Sequence, residues 1–463
     1  MMRALYSGVA GLKTHQTRMD VIGNNIANVN TTAYKSQSMT FNDLMYQTTQ
    51  AASGANATTG VAGTNARQIG LGSKTGAIKT AITSQGAAQS TNDPFDIMIT
   101  GDAFFIVSNG VDNFFTRDGS FYVDGAGNLA MTSNGYNVMG WQVDATNPNA
   151  IKAGAVSPLK IMTTDNLTYS AEATTRARIS GIIDKDDTNV NSDDGRVVNM
   201  EFFDARGYKY TAKMSIHAID GDAGQFYVKL DDVTDDATGK SIVPEGEDIA
   251  DYITLNEGGT AVTVNGQTIE NAALLNFDPS NGTFKGVGAD GQNVINLSFN
   301  NTEYPSFETI VIDFSSTKSI NNNGASTPTA TRGDSSNNGA GRKEGKMSSI
   351  NIQKDGMIYA IYDNGQRRLM GQIAVATFSN PSGLAKEGDN LYSATLNSGD
   401  FDGVGVDITS GGGYMNTGVL EMSNVDLASE FTEMITTQRG FQANSRIITV
   451  SDTLLEELTN LKR

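Results

Sequence analysis

The chain has 463 residues, 38% of them hydrophobic and 8% aromatic, with 50 glycines, 8 prolines and no cysteine. That is length for two or three domains, and it rules out disulfides, thiolate metal sites and a cysteine nucleophile. The net charge of −18 argues against nucleic acid as a partner, since displacing phosphate counterions needs a basic footprint. No stretch approaches the roughly 18 apolar residues a membrane span requires.

In chain order, residues 1–30 predict a helix. Leu5, Val9, Leu12, Gln16, Met19, Gly23 and Ile26 recur at steps of four and three and form one stripe. The early apolar run is broken by Lys13, His15 and Gln16, which predicts no cleavable signal. Residues 31–69, rich in Ala, Ser, Thr, Asn and Gly without a period, read as an extended linker. Residues 70–156 carry short β-rich runs at Ile97–Ile99, Phe104–Val107, Phe114–Thr116 and Phe121–Val123. Turns at Asn109-Gly110, Asp118-Gly119 and Asp124-Gly125 punctuate them.

Residues 157–316 alternate strands (Val197–Phe203, Lys209–His217, Phe226–Leu230, Ile310–Phe314) with acidic loops. From Lys160 to Ser316 there are 26 acids against 11 bases, so nearly the whole charge imbalance sits in what reads as an inserted β-domain. Residues 317–414 predict the second half of the first β-domain, entered by a return linker over Ser319–Gly345. Ile358–Tyr362 and Gln366–Met370 form a hairpin whose Asn364-Gly365 suits a type I′ turn.

Residues 415–463 carry a second predicted helix, starting at Ser423 and about 60 Å long at 1.5 Å per residue. Its stripe is Leu427, Phe431, Met434, Gln438, Phe441, Ser445 and Ile448, slipping by one to Leu454, Leu458 and Leu461. Ser423 and Asp426 read as a capping box, with Met422 stapled onto Leu427. The fold class is therefore mainly β with α-helical termini: a discontinuous β-domain, an inserted outer β-domain, and end helices pairing as a coiled coil. An antiparallel pair closing one chain satisfies the pattern. The polar breaks at Gln16, Gly23, Gln438 and Ser445 also suit helices packed by neighbouring copies.

No catalytic, cofactor or metal site is expected. His15 and His217 stand far apart in sequence, and Ser410–Gly413 is a glycine cluster without the strand and helix of a phosphate loop. The acidic run Asp184–Gly195 departs from the Ca²⁺-loop spacing and reads as a solvated loop.

Several motifs are similar to one known family. Asp20, Gly23, Asn24, Asn25 and Asn28 lie in a run ending at Asn30, followed by Thr-Thr-Ala-Tyr-Lys35; this resembles the N-terminal signature of the flagellar rod and hook proteins. Asn424, Asp426, Gln438, Arg439 and Asn444 resemble their C-terminal signature. Gln68–Gly72, Gly101–Val107, Thr116–Phe121 and Gly127–Leu129 resemble their shared β-domain, and Gly371–Ala376 and Gly383–Asn390 resemble its hook branch. The resemblance implies a subunit that polymerises with itself into a curved tube, a universal joint passing torque from rod to filament. Paired end helices would line the tube, a β-domain would form its middle shell, and the acidic insertion would face outward.

The resemblance also implies the partners and the place. These are rod, hook-cap and hook–filament junction proteins and the type III export apparatus, in the hook and basal body, outside the cell after export. Neither a membrane nor nucleic acid is implied. Phe41 and Met45 resemble a short export-gate motif, with a packing role for Phe41 as the alternative. The rival functions are a distal-rod or junction subunit and, in another class, a secreted β-rich binding protein or enzyme.

Overall fold

The computed structural model describes residues 2–54, 60, 62–144, 146–219, 224–255, 262–264, 267–288, 291–300 and 304–461. Both ends are helical, Met2–Ala27 and Leu427–Asn460. The second helix, of 34 residues, is about 51 Å long at 1.5 Å per residue. It starts later than the capping box predicts. Its N-cap is Asp426, whose side chain accepts from Ala428 N and Ser429 N, while Ser423 Oγ accepts from Val425 N at 3.3 Å in a local turn. The reason lies in Asn424, whose side chain bonds the backbone of Ser36, Ala81 and Ser84, so the chain stays extended until it has passed that anchor.

The stretch that composition reads as a linker is a long antiparallel ribbon. Gln37–Asp43 pairs with Ser73–Thr80, and Tyr46–Gln50 pairs with Arg67–Gly70. Leu44 N and Leu71 N join the two ladders, and Ser53 bridges Thr64 farther out. Its Ser, Thr and Gln side chains carry no hydrophobic period, because the ladder is held by backbone bonds and by part of one face against the N-terminal helix. There Met39 is buried, and Thr14 Oγ1 donates to Ser73 O at 3.2 Å.

The chain divides into two compact units: 1–166 with 349–360 and 367–463, and 167–348 with 361–366. In the first, the β-domain interleaves strands from both halves of the sequence. In spatial order these are Arg367–Ile373, Asn137–Gln142, Phe104–Ser108, Asn113–Thr116, Leu391–Ser393 and Ala385–Gly388. Phe104, Ile106, Phe115, Trp141 and Tyr392 form its core, and the Trp141 indole N–H bonds Gly154 O and Val404 O, so the ring is buried with its donor satisfied. The hairpin at Tyr362–Gln366, whose tip belongs to the second unit, is present with a different turn. Gly365 N donates to Tyr362 O, and only Gly365, at φ 80°, is left-handed. That is a type I turn closed by a glycine bulge rather than type I′.

The second unit stacks two five-stranded sheets. One runs Ile253–Leu255, Val294–Phe299, Ile310–Lys318, Arg176–Ile182, Thr329–Arg332; the other Arg196–Phe203, Lys209–Ala218, Gln225–Asp235, Ala272–Phe277, Phe284–Val287. Their alternate residues meet in one core containing Met200, Phe202, Ile216, Leu230, Leu275, Ile312 and Phe314. The expected return linker belongs to this unit, because Thr329–Arg332 pairs with Arg176–Ile182, and Thr317 and Ser326 are buried.

Candidate assembly site

The two end helices pack antiparallel within one chain. Arg18 bridges Glu433 at 3.0 Å, Asn25 bonds Glu430 at 2.8 Å, and a Cβ on Gly8 would meet Ile448 at 3.2 Å. The N-terminal helix buries Gly8, Gly11, Thr14, Val21, Ile22 and Asn25, of which Gly8, Gly11 and Asn25 meet the C-terminal helix and Thr14 bonds the ribbon. The contact works by close approach: a Cβ on Gly11 would lie 2.8 Å from the Asn444 side chain, and one on Gly440 would lie 2.6 Å from the His15 ring. The C-terminal helix answers with Glu430, Met434, Thr437, Phe441, Asn444, Ile448, Ser451 and Leu455, an unbroken four–three series of half-buried or buried residues.

This face differs from the predicted stripes. Met434, Phe441 and Ile448 lie on it, whereas Leu427, Phe431, Leu454, Leu458 and Leu461 are 39–82% exposed. On the first helix Leu5, Leu12, Met19 and Ile26 are half-buried, and Val9 is exposed. Met2, Tyr6, Ile435, Ile447 and Val450, outside the predicted set, extend the exposed apolar surface. Hydrophobic periodicity thus picks out much of the face the pair leaves free, and the small residues that hold the pair together carry no such signal.

The signature asparagines build a buried latch where the chain leaves the first helix and enters the second. Asn25 Oδ1 accepts from Gln37 N (2.9 Å) and Tyr34 OH (3.3 Å), and its Nδ2 donates to Gln37 O and Glu430. Asn424 Oδ1 accepts from Ser36 N at 2.7 Å. Asn24 Nδ2 donates to Tyr34 OH, and Asn28 Nδ2 donates to Asn24 O at the helix end. Below them lies a charge cluster. Lys35 Nζ sits 2.6 Å from Glu421 Oε1, both side chains at most 1% exposed, with Arg117 Nη1 4.0 Å from Oε2. Glu421 also accepts from Gly86 N, and Lys35 donates to Ser84 O. Burial draws the Lys35 ammonium below its ordinary pKa, against the pull of Glu421.

The remaining predicted residues are placed as follows. Asp20, Gln438 and Arg439 are exposed, and a Cβ at Gly23 meets nothing within 4 Å. Phe41 packs on the first helix, edge-on to His15 at 5.4 Å and under the Arg18 guanidinium at 5.3 Å, while Met45 is exposed. Glu421 and Arg117 were not singled out from sequence; Lys35 and Glu421 lie 386 residues apart, and no local pattern links them.

The acidic run is a correction to the solvated-loop reading. Asp184 and Asp187 are buried, accepting from backbone N–H groups of Asn322 and Gly324, and of Ser326, respectively. These bonds hold Asp184 below its ordinary carboxylate pKa. Among the described residues no group of three or more His, Cys, Asp or Glu could hold a metal ion, and no helix is long and apolar enough to cross a membrane.

Comparison with known proteins gives three family matches: "Flagella basal body rod protein" at residues 5–35, "Flagellar hook protein FlgE/F/G D1 domain" at 98–172, and "Flagellar basal body rod FlgEFG protein C-terminal" at 416–461. The chain is 36% identical over 486 residues to the flagellar hook protein FlgE of Borreliella burgdorferi, covering 100% of both. It is 33% identical to that of Treponema pallidum, again over 100% of both. It is 29% identical to the flagellar basal-body rod protein FlgG of Bacillus subtilis, also over 100% of both.

Proposed function

The chain belongs to the flagellar hook protein family and is a structural subunit of the bacterial flagellar hook, and from that premise we propose that the free apolar faces of its end helices are the polymerisation seam. The observation that carries this is the segregation of side chains on the two helices. The pair closes where Gly8, Gly11 and Gly440 allow close approach and Met434, Phe441 and Ile448 are half-buried, and Val9, Phe431, Leu454 and Leu458 are left facing solvent in the single chain. An exposed apolar stripe of that length is stable in water only when another copy covers it.

In the tube, the helix pairs line the inside, and weak polar contacts between the acidic units of neighbouring subunits allow each subunit to slide as the joint bends. The ends of the tube meet rod, cap and junction proteins, and the chain reaches its site through the type III export apparatus, with Phe41 and Met45 as the gate motif. The seam is tested by sedimentation of Phe431→Asp and Leu458→Asp. Both are expected to stay monomeric with native circular dichroism, and tubes of normal length from either variant overturn the assignment.

A further inference from the structure

The outer face of the ribbon carries unpaired basic residues, and the far part of the C-terminal helix carries unpaired acids. Residues 1–90 hold seven bases (Arg3, Lys13, Arg18, Lys35, Arg67, Lys74, Lys79) against two acids, Asp20 and Asp43. The helix Leu427–Asn460 holds five acids (Glu430, Glu433, Asp452, Glu456, Glu457) against two bases, Arg439 and Arg446. Among the described residues, the opposite charges of these two regions meet in one surface ion pair, Arg18–Glu433. Among the described residues no ion pair uses Lys74, Lys79, Asp452, Glu456 or Glu457, all of them exposed.

Geometry explains why they stay apart. Met39 and Phe41 turn one face of the ribbon to the N-terminal helix. Ser38↔Lys79 and Asn42↔Lys74 alternate with them and stand on the other face. The Lys79 end lies beside Asn25, which bonds Gln37, whereas Gly8 packs on Ile448. Counting from Asn25 to Gly8 and from Ile448 to Glu456 at 1.5 Å per residue separates Lys79 from Glu456 by about 40 Å along the helices. The same count from Thr14, which bonds Ser73, puts Lys74 about 20 Å away. These separations exceed the Debye length of about 8 Å at physiological ionic strength, so the two sets barely sense each other within one molecule.

We propose that the outer face of the ribbon, at Lys74 and Lys79, is the docking surface for the acidic part of the C-terminal helix, at Asp452, Glu456 and Glu457, of a second copy displaced along the helix axis. The inference rests on the hook-subunit reading and adds the partner of the ribbon. A two-stranded ribbon is marginal in water by itself, and this contact covers it in the assembly. Exposed Leu454 and Leu458 flank the acids and would supply apolar area.

The test is a charge swap in the full chain. Lys74→Glu/Lys79→Glu and Glu456→Lys/Glu457→Lys are each expected to raise the critical concentration for tube formation at least tenfold, and mixing the two variants is expected to restore assembly. Circular dichroism checks that each variant is folded. In unaltered protein, raising salt is expected to weaken assembly, because the pairs are exposed and screened. Normal assembly of both variants, or assembly blocked in both without restoration on mixing, overturns the pairing. Either result leaves the apolar seam standing, since Phe431→Asp tests that separately.

Discussion

The helix pair and the inserted unit solve folding in opposite ways. In the inserted unit Met200, Met214, Ile216, Leu230, Leu275 and Phe314 are all fully buried, and its two sheets close on them without help from outside. In the pair, the C-terminal helix fully buries only Thr437 and Ser451 and half-buries Met434, Phe441 and Ile448, while Phe431, Ile435, Ile447, Val450, Leu454, Leu458 and Leu461 face solvent. A region whose apolar surface is used up is complete as a monomer. A region whose apolar surface is left over is complete only in the polymer, with the latch at Lys35, Glu421 and Asn424 setting its geometry beforehand.

The largest effect is expected from Glu421→Ala. It leaves Lys35 and Arg117 buried without their carboxylate, and breaking such a cluster costs about 3–5 kcal/mol. Calorimetry of the full chain should show the unit holding the helix pair melting early while the inserted unit keeps its transition. Joint loss of both transitions would erase the distinction between them. Next is Leu275→Ala, a cavity in the inserted core, expected to cost about 2–5 kcal/mol. It should lower only the inserted unit's transition and leave tube formation intact by electron microscopy.

Phe431→Asp sharpens the contrast from the other side. Monomer stability should change by no more than about 0.5 kcal/mol, since the side chain is exposed, while assembly is lost. Equal loss of monomer stability would place Phe431 inside the fold.

The smallest effect is on pH, and it differs in sign between the regions. Hydrogen bonds from Asn322, Asp186 and Gly324 hold Asp184 below its ordinary value of 3.8. For Asp187, burial acts to raise the pKa, but bonds from Asn189 and Ser326 outweigh it and the net shift is downward. Both contribute stability that is present above 3.8 and lost as pH falls through their folded values. Glu430, on the helix pair, is raised above 4.5 by burial, against the hydrogen bond from Asn25. Its contribution is complete below 4.5 and lost as pH rises through the folded value. Hydrogen exchange between pH 5 and 3 should therefore show the inserted unit loosening while protection of the helix pair holds or increases. Asp184→Asn should flatten the first trend, and acid loosening of both regions alike would refute the assignment.

Much of the β framework was legible because it is local. Phe121–Val123 has the predicted bounds, and Lys209–His217 extends by one residue, since period-two alternation and turn residues act on the strand that carries them. The ribbon was not legible, because its stability comes from a cross-strand ladder and one helix contact rather than from side-chain pattern. Apolar periodicity located both helices and much of their free surface. Which face closes the pair was decided by the tertiary structure, because close backbone approach selects Gly8, Gly11 and Gly440, which hydrophobicity does not weigh. The same holds for the latch and the buried carboxylates. Lys35 with Glu421, and Asp184 with Gly324, are joined across 386 and 140 residues. Only the folded chain decides that such a charge is removed from water and given its partner.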